Sequence, residues 1–342
     1  MNTVERAIDR LRQEWGARLF IPAHYYQDSA ILRHADATGD SLELSRRTAA
    51  QRGAEKIVFC GVRFMAETAD ILKVPGQSVY MPDPAAGCPM ADMATDSQAE
   101  ACAKRLAPVW KGDWLPVVYV NSSAAIKAFC GRRGGSACTS SNAVRVFKWV
   151  LDSGKRILFL PDEHLGVNAA HDLGLPDSQV AVYDPLKPEG GLTDKALAGA
   201  KIVVWKGYCH VHRAFTAEHV LHARARHPAA RVIVHPEAPK DVVRMCDFHG
   251  STTQLIDYVR QAPDGSEIAI GTENHLVQRL AEEHAGRLSI HPLFPSTCPD
   301  MARTTPETLL AVLETWPAAN RVQVSPELAA EARLCLARML TL

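Results

Sequence analysis

The sequence has no net charge, no long hydrophobic run and no CxxC pair. Its 342 residues include 38 lysines and arginines and 38 aspartates and glutamates, so the formal charge at pH 7 is zero. Because there is no basic block either, nucleic acid and anionic lipid are poor candidates for the main partner. The longest apolar runs, such as Ile202–Trp205, have the length of a strand and are too short to cross a membrane.

The opening segment, MNTVERAIDRLRQEWG, has the pattern of a charged amphipathic helix and lacks the apolar core of a signal peptide. We therefore expect a soluble, cytoplasmic protein. Nine widely spaced cysteines, an odd number without an export signal, do not indicate a disulfide framework. Without a CxxC pair, any metal site has to collect its cysteines from distant parts of the chain.

Short runs of β-branched residues alternate with helical stretches along the chain. This pattern is typical of βα units around mostly parallel sheets, and a hydrophobic fraction of 47% is enough for their cores. The length corresponds to roughly two or three domains. The predicted strands are residues 19–22, 57–60, 78–81, 117–120, 157–160, Ile202–Trp205, Arg231–Val234, 268–270 and 288–290.

A threefold repeat runs through this pattern. Three strands end in polar residues, in PAHYYQ, VYVNSSA and VIVHPEAP, and a hydroxyl follows each of them at a predicted helix start, in GDSLEL, CTSSNAV and GSTTQLI. Each unit then closes on a strand that leads into a loop with a cysteine. The strand end and the helix start are 17 residues apart from His24 to Ser41, 19 from Asn121 to Ser140 and 17 from His235 to Thr252.

The repeat predicts three similar α/β domains. Their approximate bounds are 1–105 with Cys88, 106–215 with Cys209, and 216–342 with Cys298 and a C-terminal helix. The middle unit carries an insertion, which we assign to residues 175–194.

The polar strand ends predict a binding site, because ligands of α/β sheets bind beyond the carboxyl ends of the strands. If the three units face one centre, their side chains converge on one pocket. The serines and threonines at the helix starts are ordinary N-caps when taken one by one, but three helix N-termini aimed at one point would bind an anion strongly. The strand-end residues in question are His24, Tyr26, Tyr119, Asn121, His235 and Glu237.

Three of the cysteines differ from the other six. Cys88, Cys209 and Cys298 each follow a strand in a loop rich in glycine or proline, whereas most of the others fit small core positions. Three thiolates without a fourth equivalent suggest an iron–sulfur cluster with one open iron, which can act as a Lewis acid. A zinc ion held by three cysteines, with one open position, is the competing interpretation.

At this point the sequence resembles the quinolinate synthase family of NAD biosynthesis. The resemblance covers nearly the whole chain, and the family's three α/β domains around a pseudo-threefold axis, with the active site at the centre, agree with the repeat. It rests on AHYYQ, GDSLEL, VFCGVRFMAETADIL, GCPMADM, VYVNSSAAIKA, CTSSNA, PDEHLG, WKGYCHVH, HPEAP, GST, IGTE and TCPDMA, all in the family's order.

The resemblance implies a transferase that condenses iminosuccinate with dihydroxyacetone phosphate to quinolinate, phosphate and water. It implies a [4Fe–4S] cluster on Cys88, Cys209 and Cys298 with one iron open, and a functional link to an L-aspartate oxidase or dehydrogenase. Catalytic roles fall on Glu237, Tyr26, His24 and His235, and His212 also lies in a family motif. The implied substrate-binding residues are His24, Ser41, Tyr119, Asn121, Ser140, His235, Glu237 and Thr252.

Two features depart from the family pattern. Arg63 stands where members commonly carry histidine, and shorter members lack the segment 175–194. Neither departure touches the three cysteines or the HPE motif.

Three other functions stay open on the sequence. An aconitase-like hydro-lyase would use the same open iron on a single substrate. The diphthamide-synthesis enzymes also take one cluster cysteine from each of three α/β domains. A non-enzymatic iron–sulfur redox sensor would need no polar residues around its cluster.

Overall fold

Strands and helices alternate along the chain in the computed structural model, which describes residues 2–342. The strands are β1 Leu19–Phe20, β2 Pro22–His24, β3 Ala37–Gly39, β4 Lys56–Val58, β5 Ser78–Tyr80, β6 Trp114–Tyr119, β7 Ser136–Cys138, β8 Arg156–Leu160, β9 Val180–Tyr183, β10 Ile202–Trp205, β11 Arg231–Val234, β12 Phe248–His249, β13 Glu267–Gly271, β14 Ser289–Pro292 and β15 Arg321–Val322.

The α-helices fill the connections between these strands and extend to the C-terminus. They are α1 Thr3–Trp15, α2 Ser29–Leu32, α3 Ser41–Ala50, α4 Arg63–Leu72, α5 Pro89–Asp92, α6 Asp96–Trp110, α7 Ala124–Arg132, α8 Ala143–Asp152, α9 Glu163–Asp172, α10 Asp194–Gly199, α11 His210–Arg213, α12 Ala217–Arg226, α13 Lys240–Met245, α14 Thr252–Gln261, α15 Asn274–Glu283, α16 Pro306–Thr315 and α17 Pro326–Thr341. Among residues 2–342, none of the helices is both long enough and apolar enough to span a bilayer.

The strands form short, mainly parallel sheets with a recurring order. The second sheet runs β7-β6-β8-β10-β9 and the third runs β12-β11-β13-β14. The first sheet runs β1-β4-β5-β15, and the pair β2-β3 joins it through a parallel bridge between Ala23 and Cys60. In each unit the second strand pairs with one edge of the first strand. The third strand lies on the other edge of the first, and the fourth strand follows beyond the third. The α/β class that the sequence predicted is thereby confirmed.

The predicted strands all form, Ile202–Trp205 and Arg231–Val234 with the predicted bounds and the others with shifted ends. The sequence does not predict β3, β7 and β12, which pair in parallel with β2, β6 and β11 and lead into helices α3, α8 and α14. These strands have only two or three residues, so their apolar pattern is too short to be recognised. Because the first strands are parallel and buried, their polar carboxyl ends lie at the same edge as those of their neighbours.

The insertion 175–194 extends the second sheet. It supplies β9, which pairs in parallel with β10 at the sheet edge. Tyr183 of β9 stacks on Trp205 of β10 with ring centroids 5.2 Å apart, and the next residue, Asp184, forms an ion pair of 2.8 Å with Lys206. The insertion therefore adds an edge strand to the second sheet.

The C-terminal segment packs away from the third sheet, with which the sequence analysis grouped it. Strand β15 pairs antiparallel with β5 of the first sheet. Helix α17 lies against α7 and β7, where the Cys335 thiol donates to the carbonyl of Lys127 at 3.2 Å and Arg338 donates to the carbonyl of Gly135 at 2.7 Å. The exact domain bounds stay a prediction.

The contact between α7 and α17 depends on Gly131. A Cβ atom at this position would lie 1.9 Å from the carbonyl oxygen of Glu331, which is closer than any non-bonded approach. We expect Gly131→Ala to lower the free energy of unfolding by about 2 kcal/mol or more, because one of the two helices has to shift. The measurement is urea unfolding.

The matched control is Gly199→Ala at the end of α10. There the nearest heavy atom to an added Cβ is 4.0 Å away, so this variant should unfold at or slightly above the wild-type urea concentration. Equal stability of the Gly131→Ala variant and the wild type would contradict the packing described here.

Candidate active site

One cavity, with about 700 Å³ of empty space when its mouth to the solvent is included, opens where the carboxyl ends of strands from all three sheets meet. Apolar side chains, among them Val62, Phe64 and Met65, cover part of its wall and limit its contact with water. The cavity brings together all the site residues that the sequence predicted, which are His24, Tyr26, Ser41, Cys88, Tyr119, Asn121, Ser140, Cys209, His235, Glu237, Thr252 and Cys298.

Glu237 is the centre of a buried hydrogen-bond network. The hydroxyl of Tyr119 donates to one carboxylate oxygen, and Nδ1 of His212 lies 2.8 Å from the other. Burial raises the pKa of Glu237, but the neighbouring His212 and the two hydrogen bonds outweigh burial and hold the pKa below its usual value. Glu237 is therefore an ionised carboxylate that His212 and Tyr119 orient.

The network continues from His212 to Tyr26. Nε2 of His212 lies 3.2 Å from the hydroxyl of Thr272, which in turn lies 2.9 Å from the hydroxyl of Tyr26. Thr252 donates to the same tyrosine oxygen at 3.0 Å. Burial raises the pKa of Tyr26 well above its usual value, against the opposing effect of the two threonine hydrogen bonds. Tyr26 is thus a protonated acid at one end of a series of hydrogen bonds, and the ionised carboxylate of Glu237 lies at the other end.

Two further histidines are buried in the neutral form. Burial lowers the pKa of His24 to about 4 and that of His235 to about 3. Nδ1 of each ring accepts a backbone N–H two residues ahead, from Tyr26 at 3.1 Å and from Glu237 at 3.3 Å. Nε2 of His235 lies 3.2 Å from the hydroxyl of Ser140. Because Nδ1 accepts, Nε2 carries the proton and can donate to a ligand oxygen.

The three predicted helix starts meet at one carboxylate, that of Asp40. Its Oδ1 caps α3 by accepting the N–H groups of Leu42 and Glu43, each at 3.0 Å. Its Oδ2 accepts the hydroxyl of Ser141, just before α8, at 2.7 Å and that of Thr253, in the first turn of α14, at 2.8 Å. The helix N-termini therefore converge as the sequence predicted, and the protein already supplies one anion at their junction.

The cavity hydroxyls are not the N-caps, contrary to the ordinary interpretation of these residues. Asp40 caps α3 and Ser251 caps α14, so that Ser41 and Thr252 are the first helical residues and line the cavity. Ser140 also lines the cavity, two residues before the N-cap of α8. None of the three hydroxyls therefore caps a helix: that of Thr252 donates to Tyr26, and that of Ser140 lies 3.2 Å from Nε2 of His235.

The three cavity cysteines share one local structure. Each lies in the loop after the last strand of its unit, at the start of a helical turn, and one or two backbone N–H groups of the residues that follow act to lower the pKa of its thiol. Burial nevertheless raises the pKa of Cys88 to about 12, that of Cys298 to about 11 and that of Cys209 well above its usual value. The other six cysteines do not line the cavity.

A family model described as quinolinate synthetase A protein matches residues 6–341. The chain is 45% identical to the quinolinate synthase of Geobacillus sp. (strain WCH70), over 100% of this chain and 94% of that protein. It is 43% identical to that of Bacillus subtilis (strain 168), over 99% of this chain and 93% of the relative. It is 45% identical to the quinolinate synthase of Corynebacterium glutamicum, over 99% of this chain and 87% of that protein.

The chain belongs to the quinolinate synthetase A family. It is therefore an enzyme of NAD biosynthesis. Arg63 lies outside the cavity. It begins α4 with a side chain that is 56% exposed, and its Nε is 3.3 Å from a carboxylate oxygen of Glu67.

Sequence reasoning missed two residues of this family member's site. Thr272 directly follows β13 in the string IGTE and connects Tyr26 to His212, but neither the repeat nor the family resemblance assigns it a role. Asp40 stands beside Ser41, and either residue type is a good N-cap, so the sequence does not indicate which of them caps α3.

The buried histidines predict acid sensitivity. Because the folded-state pKa of His24 is about 4 and its usual value is 6.5, below pH 6.5 the unfolded chain binds a proton that the folded chain cannot take up. Stability should therefore fall as the pH drops from 6.5 towards 4, by about 3 kcal/mol from His24 alone. Urea unfolding at a series of pH values measures this fall.

The variant His24→Gln should lose less stability than the wild type over the same pH range. His222→Gln, which changes an exposed histidine of α12, serves as the control and should follow the wild type. If His24→Gln and the wild type had the same pH dependence, His24 would not be buried in its neutral form.

Proposed function

We propose that this enzyme condenses iminosuccinate with dihydroxyacetone phosphate to form quinolinate, phosphate and water. We further propose that Cys88, Cys209 and Cys298 hold a [4Fe–4S] cluster for this reaction. One observation carries the proposal: these three cysteines open on the same cavity as the buried chain from Glu237 to Tyr26.

The donor set fits such a cluster. All nine cysteines are free, and only these three line the cavity. The thiolate is the form that binds iron, and backbone N–H groups near each cysteine oppose the burial that raises the pKa of its thiol. When bound, the cluster supplies an open iron that acts as a Lewis acid.

The spacing of the sulfurs favours a cluster over a single zinc ion. With Zn–S bonds of about 2.3 Å, the sulfurs of one tetrahedral zinc site lie about 3.8 Å apart. Within residues 2–342, two groups of potential ligands have their atoms within 4.8 Å of one another, and neither of them contains two cysteines. Three sulfurs on one cavity but further apart are better suited to a cofactor larger than one ion.

The helix starts and the neutral histidines suit the two anionic substrates. The cavity hydroxyls of Ser41, Ser140 and Thr252 lie at or just before helix N-termini, which favour carboxylate and phosphate groups. The protonated Nε2 atoms of His24 and His235 add neutral donors that form hydrogen bonds without a fixed charge. We propose that these residues, with Tyr119 and Asn121, bind the substrates.

The buried network supplies an acid and a base. Glu237 is ionised and can accept a proton from a carbon next to the imine or the carbonyl group, while Tyr26 keeps its proton and can donate it. His212 lies between them and connects the two through Thr272. His24 and His235 assist by orienting substrate oxygens.

We propose that the three units surround a pseudo-threefold axis through the cavity, with approximate bounds 1–105, 106–215 and 216–342. The shared strand order and the recurrence of one helix start and one cysteine loop in each unit support this arrangement. In the cytoplasm, an L-aspartate oxidase or dehydrogenase would supply iminosuccinate.

The proposal is tested by an anaerobic assay of reconstituted protein with dihydroxyacetone phosphate and freshly generated iminosuccinate. Quinolinate is followed by chromatography, and iron and sulfide are counted on the same sample. We expect quinolinate in proportion to cluster content. A full cluster without quinolinate would refute the proposed reaction and favour the hydro-lyase or the redox sensor.

Replacement of Cys88, Cys209 or Cys298 by serine should abolish the [4Fe–4S] absorption spectrum after reconstitution, because one of three ligands is lost. Cys102→Ser, which changes a fully buried cysteine of α6, is the matched control and should keep the wild-type spectrum. A full spectrum in any of the three cavity variants would show that the ligand assignment is wrong.

Glu237→Gln should keep the cluster and lower kcat by at least about 100-fold, since an amide cannot accept the proton. The variant keeps an acceptor oxygen and the side-chain shape, so iron content and substrate affinity report on its integrity. Near wild-type turnover would exclude Glu237 as the base.

A further inference from the structure

A second cluster of ligating side chains lies outside the cavity, at the start of β13. It consists of His227, which caps the C-terminus of α12, Glu267, the first residue of β13, and His291 on β14. His291 pairs in register with Ala269, and Ala269 and Glu267 lie on the same face of β13 because side chains alternate along a strand. The sheet and the helix end therefore bring together three residues that are distant in sequence.

The three side chains share one carboxylate oxygen. Nδ1 of His227 lies 2.6 Å and Nε2 of His291 lies 3.0 Å from Oε1 of Glu267, and the two imidazole rings stack with centroids 4.2 Å apart. One potential ligand atom from each residue lies within 4.8 Å of the other two. Such a group closes around one metal ion with only small side-chain rotations, since donors in a tetrahedral Zn²⁺ site are about 3.4 Å apart.

The charges at this cluster favour a cation. Within residues 2–342, the ion-pair partners of Glu267 are these two imidazoles and no lysine or arginine. The carboxylate of Glu267 therefore faces two potential nitrogen ligands and no permanent positive charge. Each side chain is also partly exposed, which leaves room for water to complete the coordination of an ion.

We propose that His227, Glu267 and His291 form a binding site for a divalent transition-metal ion, with Zn²⁺ as the expected occupant. Two imidazole nitrogens and one carboxylate oxygen are a common ligand set for Zn²⁺, with water in the remaining position. The ion would take the place of the protons in the hydrogen bonds of the two histidines to Glu267, and it would connect α12, β13 and β14.

This site is separate from the cavity. Glu267 begins β13, whereas Thr272, which belongs to the buried network, follows the end of this five-residue strand. At about 3.3 Å per residue, the two residues are about 16 Å apart along the strand. Binding here therefore does not depend on the proposed cluster or the proposed reaction.

The test is equilibrium dialysis of the cluster-loaded enzyme against buffered Zn²⁺, without oxygen, followed by metal analysis. Wild type should bind one more Zn²⁺ per chain than His291→Asn, and Glu267→Gln should bind at this site at least about tenfold more weakly. The matched control is His249→Asn, because His249 on β12 is 31% exposed and pairs with a single carboxylate, that of Asp172. This control should bind as much Zn²⁺ as wild type.

Histidine modification of the wild type localises the ion without any variant. Diethylpyrocarbonate modification, mapped by mass spectrometry, should slow several-fold at His227 and His291 when Zn²⁺ is added, and should not change at His249. Equal Zn²⁺ counts in folded wild type and His291→Asn would overturn the proposal. If the variants do not fold, unchanged modification of His227 and His291 in the presence of Zn²⁺ overturns it instead.

Discussion

The carboxylate of Asp40 accepts hydrogen bonds from the starts of three helices, one from each sheet. A buried carboxylate is stable only when donors surround it, and here two backbone N–H groups and two hydroxyls do so. If Ser141 or Thr253 moved away, the charge would lose a partner and the donor would lose its acceptor. The positions of α3, α8 and α14 are therefore coupled through one side chain.

This coupling extends to the cavity, since each cavity hydroxyl belongs to a residue next in sequence to Asp40 or to one of its two hydroxyl partners. Ser41 follows Asp40, Ser140 precedes Ser141 and Thr252 precedes Thr253. The hydrogen bonds to Asp40 thus fix the backbone from which the three hydroxyls reach the cavity. On its other side, the network of Glu237, His212 and Tyr26 again draws on all three units, so that acid and base are held in one arrangement.

Much of the fold and the site could be predicted from the sequence, because the repeat leaves polar residues at strand ends and cysteines at unit ends. The role of Asp40 could not be predicted, because its partners lie about 100 and 213 residues away, at separations that no local pattern encodes. The same holds for the docking of α17 on α7, where an apolar stripe predicts burial but does not specify the partner. His227, Glu267 and His291 likewise meet only through strand register and a helix end.

Hydrogen exchange read by mass spectrometry tests most directly whether Asp40 couples the three helix starts. The informative variant is Ser141→Ala combined with Thr253→Ala, which leaves Asp40 and its cap on α3 intact. Coupling predicts that amide protection falls in the first turn of α3 as well as in α8 and α14, compared with wild type of equal iron content. Loss of protection confined to α8 and α14, with α3 unchanged, would contradict the account.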